Sequence, residues 1–191
     1  MSNAPQTARL PALLATSMGD RHRDALLQER LKDLIERHFA LAGRIVRNLG
    51  IADCDVDDIL QQAFSIAADR LADIAPGKER AFLIQTAIHL AGSVRRARAR
   101  SRETLTADLP EVSDGRPSPE ELSDQARALR LLDGILADME LDLRTVFVLY
   151  EVEEMTMADI AAVLQIPPGT VASRLRRARE DFLARVHRVQ R

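Results

Sequence analysis

The chain contains 191 residues, 46% of them hydrophobic and 29% charged, and carries a formal net charge of −2 at pH 7. This apolar content excludes a wholly disordered protein, and the length suits one or two small domains. Aromatic residues make up only 3% of the chain and tryptophan is absent, so the core must consist of Leu, Ile, Val and Ala. Such a composition favours packed helices over a β-sandwich, and we predict an all-α fold.

Signals for a membrane, for secretion and for metal binding are absent from the sequence. No apolar run is long enough to span a bilayer, and the first residues do not resemble a signal peptide. The single cysteine, Cys54, has no partner for an internal disulfide and no His or Cys at metal-binding spacing. We therefore expect a cytoplasmic protein with no metal, no cofactor and no membrane association.

The amino-terminal half predicts a compact bundle of three helices after a loosely ordered tail at residues 1–23. Apolar residues recur at helical spacing in three segments, at residues 24–49, at 55–72, and from 79 into a cluster of arginines. Glycine and proline interrupt the pattern between these segments. We assign residues 24–100 to this first domain.

The composition changes at residue 101. Residues 101–119 are rich in proline, serine and acidic side chains and lack a sustained period, which is typical of a flexible linker. Apolar periodicity returns after Pro119 in one helix, then in a shorter one, and then in a helix-turn-helix. Residues 120–191 are therefore predicted to form a second small helical domain.

The helix-turn-helix is predicted from turn chemistry and periodicity. Thr156 can cap the first helix, with Asp159 three residues later. Pro168 can open the second helix, and Gly169 is expected to let the chain pass close to the neighbouring helix. Inward packing of the second helix is predicted for the apolar residues that recur every three or four positions, namely Val171, Leu175, Ala178, Phe182 and Val186.

Polar residues occupy the opposite side of this second helix. They are Thr170, Ser173, Arg174, Arg176 and Arg177. An arginine can bind the major-groove edge of guanine through two hydrogen bonds, while other basic side chains hold phosphates. Together with the turn, this pattern favours a DNA-reading helix over the alternative of a solvated amphipathic helix that only closes a bundle.

Basic residues are concentrated in two places, although the net charge is slightly negative. Five arginines and no acidic residue lie between residues 95 and 102, and seven arginines against two acidic residues lie between 171 and 191. Two separate basic surfaces indicate two contacts with one polyanion.

In order and spacing, these motifs resemble those of the extracytoplasmic-function (ECF) sigma factors of bacterial RNA polymerase, over about residues 24–188. The carboxyl-terminal segments Arg144-Thr-Val-Phe147, Asp159-Ile-Ala161 and Pro168-Gly-Thr-Val171 are similar to the family's domain 4. The resemblance implies that this domain binds the promoter element near minus thirty-five through the polar face defined above. It also implies a contact with the flap of one of the two largest polymerase subunits.

The segment from Val56 to Phe64 is similar to the domain 2 helix that binds the clamp helices of the largest polymerase subunit. Asp58, Gln61 and Phe64 match best, and Asp57 and Gln62 lie close by. The resemblance implies contacts with core polymerase for all five residues. From the residues alone, an acidic and amide-bearing helix face suits a basic partner helix but also suits plain solvent, and the resemblance is what favours the partner helix.

Residues 80–96 are similar to the helix that binds the minus-ten element, and the preceding loop at 73–79 is expected to receive a base turned out of the duplex. DNA contacts are implied for Arg80, Gln85, His89, Arg95 and Arg96.

The sequence departs from the family pattern at several positions. Ile84 stands where an aromatic residue is usual, His89 where Asn is usual, and Ser93 where Asp is usual. Glu154 replaces the glycine common before the helix-turn-helix, and Ala172 replaces a residue that is frequently basic. Because a surface poor in aromatics recovers less of the stacking energy lost on strand opening, we expect a dependence on well-matched promoters.

Two other classes of function compete with this hypothesis. A stand-alone dimeric helix-turn-helix regulator would explain residues 119–191 but neither the helix at 55–72 nor the arginines at 95–102. An enzyme finds little support, because the four histidines are scattered and the sequence has no phosphate loop, nucleophile triad or metal-ligand arrangement. The resemblance therefore predicts a non-enzymatic initiation factor whose partners are core polymerase, promoter DNA and an anti-sigma factor.

Overall fold

The computed structural model describes the backbone of residues 9–105 and 124–189, and the side chains of residues 23–101 and 128–189. These residues form helices and no strand, which confirms the predicted all-α class. The α-helices are α1 (Arg9–Asn48), α2 (Asp53–Arg70), α3 (Glu79–Leu105), α4 (Asp124–Ala137), α5 (Leu141–Phe147), α6 (Met157–Leu164) and α7 (Pro168–Val189).

Helices α1, α2 and α3 pack against one another as the first bundle. Each contributes apolar residues to a common core, and Ile45, Leu60 and Leu83 are almost fully buried there. Burial of a leucine side chain contributes about 1.5–3 kcal/mol, so a core of this kind can hold three helices together without large aromatics.

Helices α4 to α7 form the second bundle. Its own core contains Leu136, Met139 and Leu143, together with Phe147, whose ring stacks on that of Phe182 with centroids 4.8 Å apart. Helix α5 continues directly into a π-helical turn, Val148–Val152, which we call the π turn.

Two boundaries differ from the sequence prediction. Helix α1 begins at Arg9, so part of the predicted tail is helical; Pro11 is compatible with this because it lies in the first turn, where its missing N–H is not needed. Helix α3 continues to Leu105 and takes up the first residues of the predicted linker. The rest of the linker, residues 106–119, and residues 1–8 of the tail lie outside the described residues.

The two bundles pack directly on each other. Helix α6 lies against α3, and the buried cluster that fills the first bundle continues through Val146 and Leu149 to Ile160 and Val171. Helical periodicity shows which side of each helix is buried but not which neighbour covers it, so this packing is absent from the sequence prediction.

None of the described helices is both long enough and apolar enough to cross a membrane.

Candidate nucleic-acid and protein interfaces

The helix-turn-helix is formed by α6 and α7. The hydroxyl oxygen of Thr156 accepts a hydrogen bond from the N–H of Asp159 at 3.1 Å, which confirms the predicted cap. Gln165 ends α6 in the left-handed region with a φ of +53°, and α7 begins at Pro168. The expectation for Gly169 is wrong: a Cβ built there has no neighbour within 4 Å, so no close helix approach depends on this glycine.

The inward side of α7 is largely as predicted. Val171, Leu175 and Ala178 are buried, whereas Phe182 and Val186 are half-buried. Burial is most complete near the amino end of α7, where the helix packs on α6. This end is therefore held at a fixed orientation relative to the rest of the second bundle.

The polar side of α7 presents the predicted residues outward at that same end. Ser173, Arg176 and Arg177 are exposed, and Thr170 and Arg174 are half-buried. The Ser173 hydroxyl donates to the Thr170 carbonyl at 3.0 Å. Five polar side chains consequently share one accessible surface, which is the arrangement that a major-groove helix requires.

The arginines of this surface differ in how they are held. The Arg174 guanidinium pairs with the Asp142 carboxylate at 2.8 Å, and Arg176 pairs with Glu180 at 2.7 Å. Among the described residues, Arg177 has no ion-pair partner. A guanidinium without an ion-pair partner breaks no protein contact when it binds a base or a phosphate. Binding therefore costs less for Arg177 than for Arg174 or Arg176.

Arg179 lies outside this surface although it belongs to the same basic cluster. Its Nε donates to Glu151 at 2.6 Å, and its guanidinium lies 5.3 Å from the centroid of the Tyr150 ring. It therefore ties α7 to the π turn.

The predicted polymerase-binding residues lie on the exposed face of α2, with one exception. Asp57, Asp58, Gln61 and Gln62 are exposed. Phe64 is only 9% exposed, and its ring stacks on Phe39 of α1 with centroids 5.9 Å apart. This ring therefore supports α2 by packing on α1, and its direct contact with polymerase stays a prediction.

The residues of α3 that are predicted to contact the minus-ten element differ in how exposed they are. His89 and Arg96 are exposed, whereas Arg80 and Gln85 are half-buried. Arg95 is used inside the fold, since its Nη1 donates to the Leu49 carbonyl at 2.5 Å and burial lowers the pKa of its guanidinium. This side chain therefore caps the carboxyl end of α1, and its DNA contact stays a prediction.

A cavity of about 400 Å³ lies beside the loop before α3. The loop contributes Gly77 to its wall, α3 contributes Arg80, and α1 contributes Arg30, Arg37 and His38. The Arg30 guanidinium holds the wall together, donating to Glu79 at 2.6 Å and to the Ile74 carbonyl at 2.8 Å.

The cavity carries an excess of positive charge, with three arginines against two acidic residues, Asp33 and Glu79. The Nε of Arg80 is buried and has no hydrogen-bond partner among the described residues. Burial, followed by the charge of Arg80, lowers the pKa of His38. Arg30, Arg37 and His38 were not predicted as site residues from the sequence. Their spacing places them along one side of α1, which is the signal for a shared surface.

The part of the chain that the structure describes contains no group of three His, Cys, Asp or Glu side chains that could hold a metal ion.

Comparison with known proteins decides among the hypotheses. A family model described as sigma-70, region 4, matches residues 129–182. The RNA polymerase sigma-H factor of Pseudomonas aeruginosa is 32% identical over 157 residues, which cover 77% of this chain and 80% of that protein. The ECF RNA polymerase sigma factor SigC of Mycobacterium tuberculosis is 31% identical over 130 residues, covering 67% and 68%.

The chain belongs to the ECF sigma factors of the sigma-70 family. The fold agrees: the structure of CnrH in complex with the cytosolic domain of CnrY superimposes with a TM-score of 0.64 at 25% identity, covering 84% of this chain and 89% of that one. The resemblance seen in the sequence is thus confirmed. As a sigma factor the protein acts with RNA polymerase in promoter-specific transcription initiation, and the stand-alone regulator is not favoured. Sigma factors are not enzymes.

Proposed function

We propose that α7 is the helix with which this sigma factor reads the minus-thirty-five element. The observation that carries this proposal is the exposed polar surface at the amino end of α7, behind a capped turn and a buried apolar side. Thr170, Ser173, Arg174, Arg176 and Arg177 are the contact residues. Arg177 enters the major groove as the free guanidinium, while Arg174 and Arg176 exchange their carboxylate partners for DNA.

Core polymerase binds the acidic face of α2 in this proposal. Asp57, Asp58, Gln61 and Gln62 are exposed together on one helix, and they suit a basic partner helix such as a clamp helix. The flap of the second large subunit contacts the second bundle. Phe64 contributes indirectly, since its packing on Phe39 fixes the orientation of the face.

The minus-ten element binds along α3 and at the cavity beside it. Arg80, Gln85, His89 and Arg96 are the contacts on the helix, and the cavity receives an unstacked base or its phosphate. Its arginine-lined wall and the unpartnered Nε of Arg80 favour an anionic, hydrogen-bonding ligand of this kind.

Residues 24–100 and 120–191 act as the two domains, and the segment between them sets their separation on DNA. The protein works in the cytoplasm, has no enzymatic activity of its own and needs no cofactor. A protein partner controls it, which is supported by the structures of CnrH with the cytosolic domain of CnrY and of RpoE with the anti-sigma factor NepR.

Run-off transcription with purified core polymerase tests the function. Transcripts from a promoter recovered from genomic fragments are expected only when the full chain is added, and deleting either element should reduce them. Binding of the chain to this DNA without core polymerase, with footprints at two half-sites and no stimulated initiation, would instead support the dimeric regulator.

A further inference from the structure

One side chain of α1 holds the loop that connects α2 to α3. This loop, residues 71–78, is called the α2–α3 loop below. Arg30 of α1 donates from Nη2 to the carbonyl of Ile74 at 2.8 Å, and from Nη2 and Nε to Oε1 of Glu79 at 2.6 and 3.0 Å. Ile74 lies within the loop and Glu79 is the first residue of α3. A single guanidinium therefore fixes the loop to the start of α3.

Glu79 is the second anchor of the loop. It is half-buried, as is Arg30. Burial alone would raise the pKa of Glu79, but hydrogen bonds from its own backbone, from Arg30 and from the backbone of Gly77 lower it below its ordinary value. The carboxylate is thus charged at neutral pH and is held by α1 and by the loop together. Hydrogen bonds between charged groups are stronger than those between neutral groups, so this anchor resists thermal motion.

The backbone of the loop adds its own contacts. The N–H of Ile74 donates to the Arg70 carbonyl at 3.1 Å, and the N–H of Lys78 donates to the Ala75 carbonyl at 3.0 Å. The side chain of Ile74 is buried. Gly77 has a φ of +82°, and a Cβ built there has nothing within 4 Å. The loop is therefore fixed on both sides of an open tip, and the tip borders the cavity.

A loop that is ordered before binding gives a higher affinity than one that must be ordered by its ligand. Ordering a flexible segment costs backbone entropy, and the apparent affinity falls in proportion to the fraction of molecules that have the binding geometry. The Arg30 donors that hold the loop are already bonded to protein acceptors, whereas the buried Nε of Arg80 has no partner among the described residues. Arg30 is thus better suited to shaping the cavity than to binding its ligand.

We propose that Arg30 and Glu79 are positioning residues for the minus-ten element, whose contact with each other holds the α2–α3 loop in its binding geometry before DNA arrives. This inference rests on the proposed function of that loop and of the adjoining cavity. Arg30 acts through the direction of its hydrogen bonds and not through attraction for phosphate. Glu79 favours DNA binding, although its charge has the same sign as DNA.

Affinity of the holoenzyme for a single-stranded oligonucleotide tests this role. The oligonucleotide carries the minus-ten element of the promoter used for run-off transcription. Arg30→Ala should weaken binding by about tenfold, because fewer molecules have the loop in its binding geometry. Glu79→Ala should weaken binding as well, although removing a negative charge beside a polyanion would by itself strengthen it. An unchanged or higher affinity in Glu79→Ala would overturn the proposal.

Arg30→Lys separates hydrogen-bond geometry from charge. Lysine keeps the positive charge but replaces the planar fork of the guanidinium with a single ammonium group. This variant should lose most of the affinity that Arg30→Ala loses. Wild-type affinity in Arg30→Lys would show that only the charge matters, and would overturn the proposal.

Lys32→Ala and Glu36→Ala are the matched controls. These two residues form an exposed ion pair within α1 and do not contact the loop. Each control should leave the affinity for the oligonucleotide unchanged. The affinity of Arg30→Ala for core polymerase should also be unchanged; a loss there would indicate general damage to the bundle and would overturn a specific role for Arg30.

Hydrogen exchange of the free chain measures the order of the loop without DNA. Arg30→Ala should accelerate exchange at the N–H groups of Ile74 and Lys78, while the interior of α2 stays protected. Unchanged exchange at both groups would overturn the inference even where run-off transcription supports the proposed function. Faster exchange without promoter-dependent transcripts would retain the ordering of the loop by Arg30 and reject the role of the loop at the promoter.

Discussion

Arg144 of the second bundle donates from Nε to the Asn48 carbonyl of the first at 2.5 Å. The next carbonyl, that of Leu49, accepts from Arg95 of α3 at 2.5 Å. Two carbonyls at the carboxyl end of α1 are thus each satisfied by an arginine, one from each bundle. Burial lowers the pKa of Arg144 to about 10, which reflects the cost of holding its charge there.

Gly50 is the position where this arrangement leaves no space for a side chain. Its φ is +84°, and a Cβ would lie 2.7 Å from Nη1 of Arg144 and 2.8 Å from Nη1 of Arg95. Gly50→Ala should lower the free energy of unfolding by about 2–4 kcal/mol, from the left-handed backbone together with the displaced arginines. Urea denaturation of the wild-type protein and the variant measures this change in the free energy of unfolding.

Gly77 supplies the control, because it has a similar φ of +82° but nothing within 4 Å of a built Cβ. Gly77→Ala should lower the free energy of unfolding by about 1–2 kcal/mol, because only the left-handed backbone opposes the added side chain. If the two variants lowered the free energy of unfolding equally, the arginines at Gly50 would have moved aside without cost.

Glu154 occupies a conformation that favours glycine. Its φ is +51°, which explains why glycine is common at this position in the family that the chain resembles. Glu154→Gly should raise the free energy of unfolding by about 0.5–1 kcal/mol, because relief of the left-handed strain exceeds the added entropy of the unfolded chain. Ala172→Gly, on the exposed side of α7, should lower it by a similar amount.

His38 should make stability depend on pH. Its pKa is lowered in the folded protein, chiefly by burial and then by Arg80, while Asp33 opposes this and Arg37 reinforces it. The unfolded chain then binds a proton at His38 more readily than the folded chain does. The contribution of neutral His38 to the free energy of unfolding is therefore fully present above the ordinary pKa of about 6.5, and it is lost as the pH falls below that value.

The measurement is the difference in melting temperature between pH 7.5 and pH 5.5. His38→Gln should reduce this difference, whereas His187→Gln, at an exposed position on α7, should retain it. A pH dependence unaltered by His38→Gln would contradict the assignment.

Arg177 should contribute more to promoter binding than Arg179, although both lie on α7. Arg177→Ala in the holoenzyme should weaken binding to a minus-thirty-five duplex by about 1–3 kcal/mol, the range for a base contact, and should relax sequence preference. Arg179→Ala is the control, since that side chain is held by Glu151 and Tyr150. Fluorescence anisotropy on cognate and scrambled duplexes distinguishes them.

The α2 face should govern polymerase capture and not DNA reading. Asp58→Ala and Gln61→Ala should each weaken binding to core polymerase, whereas Asp69→Ala, exposed nearer the carboxyl end of the same helix, should have little effect. Arg177→Ala should leave core binding unchanged. If the Asp58 and Arg177 variants lost core affinity equally, the division of roles between the bundles would be wrong.

Much of the fold and the polar surface of α7 could be predicted from the sequence, because local chemistry determines them. Thr156 caps α6 whatever lies nearby, and the spacing of Val171, Leu175 and Ala178 defines the inward side of α7 and therefore its polar side. The family followed from the same ordered motifs.

Only the tertiary structure decided which side chains remain available. Arg95 and Arg177 are both arginines on helices of basic character, yet one caps α1 and the other is exposed. Phe64 turned inward onto Phe39, and three residues of α1 came to line a cavity with Arg80. Periodicity fixes the direction of a side chain around its own helix, whereas its partner depends on contacts between residues far apart in sequence, which no local pattern records.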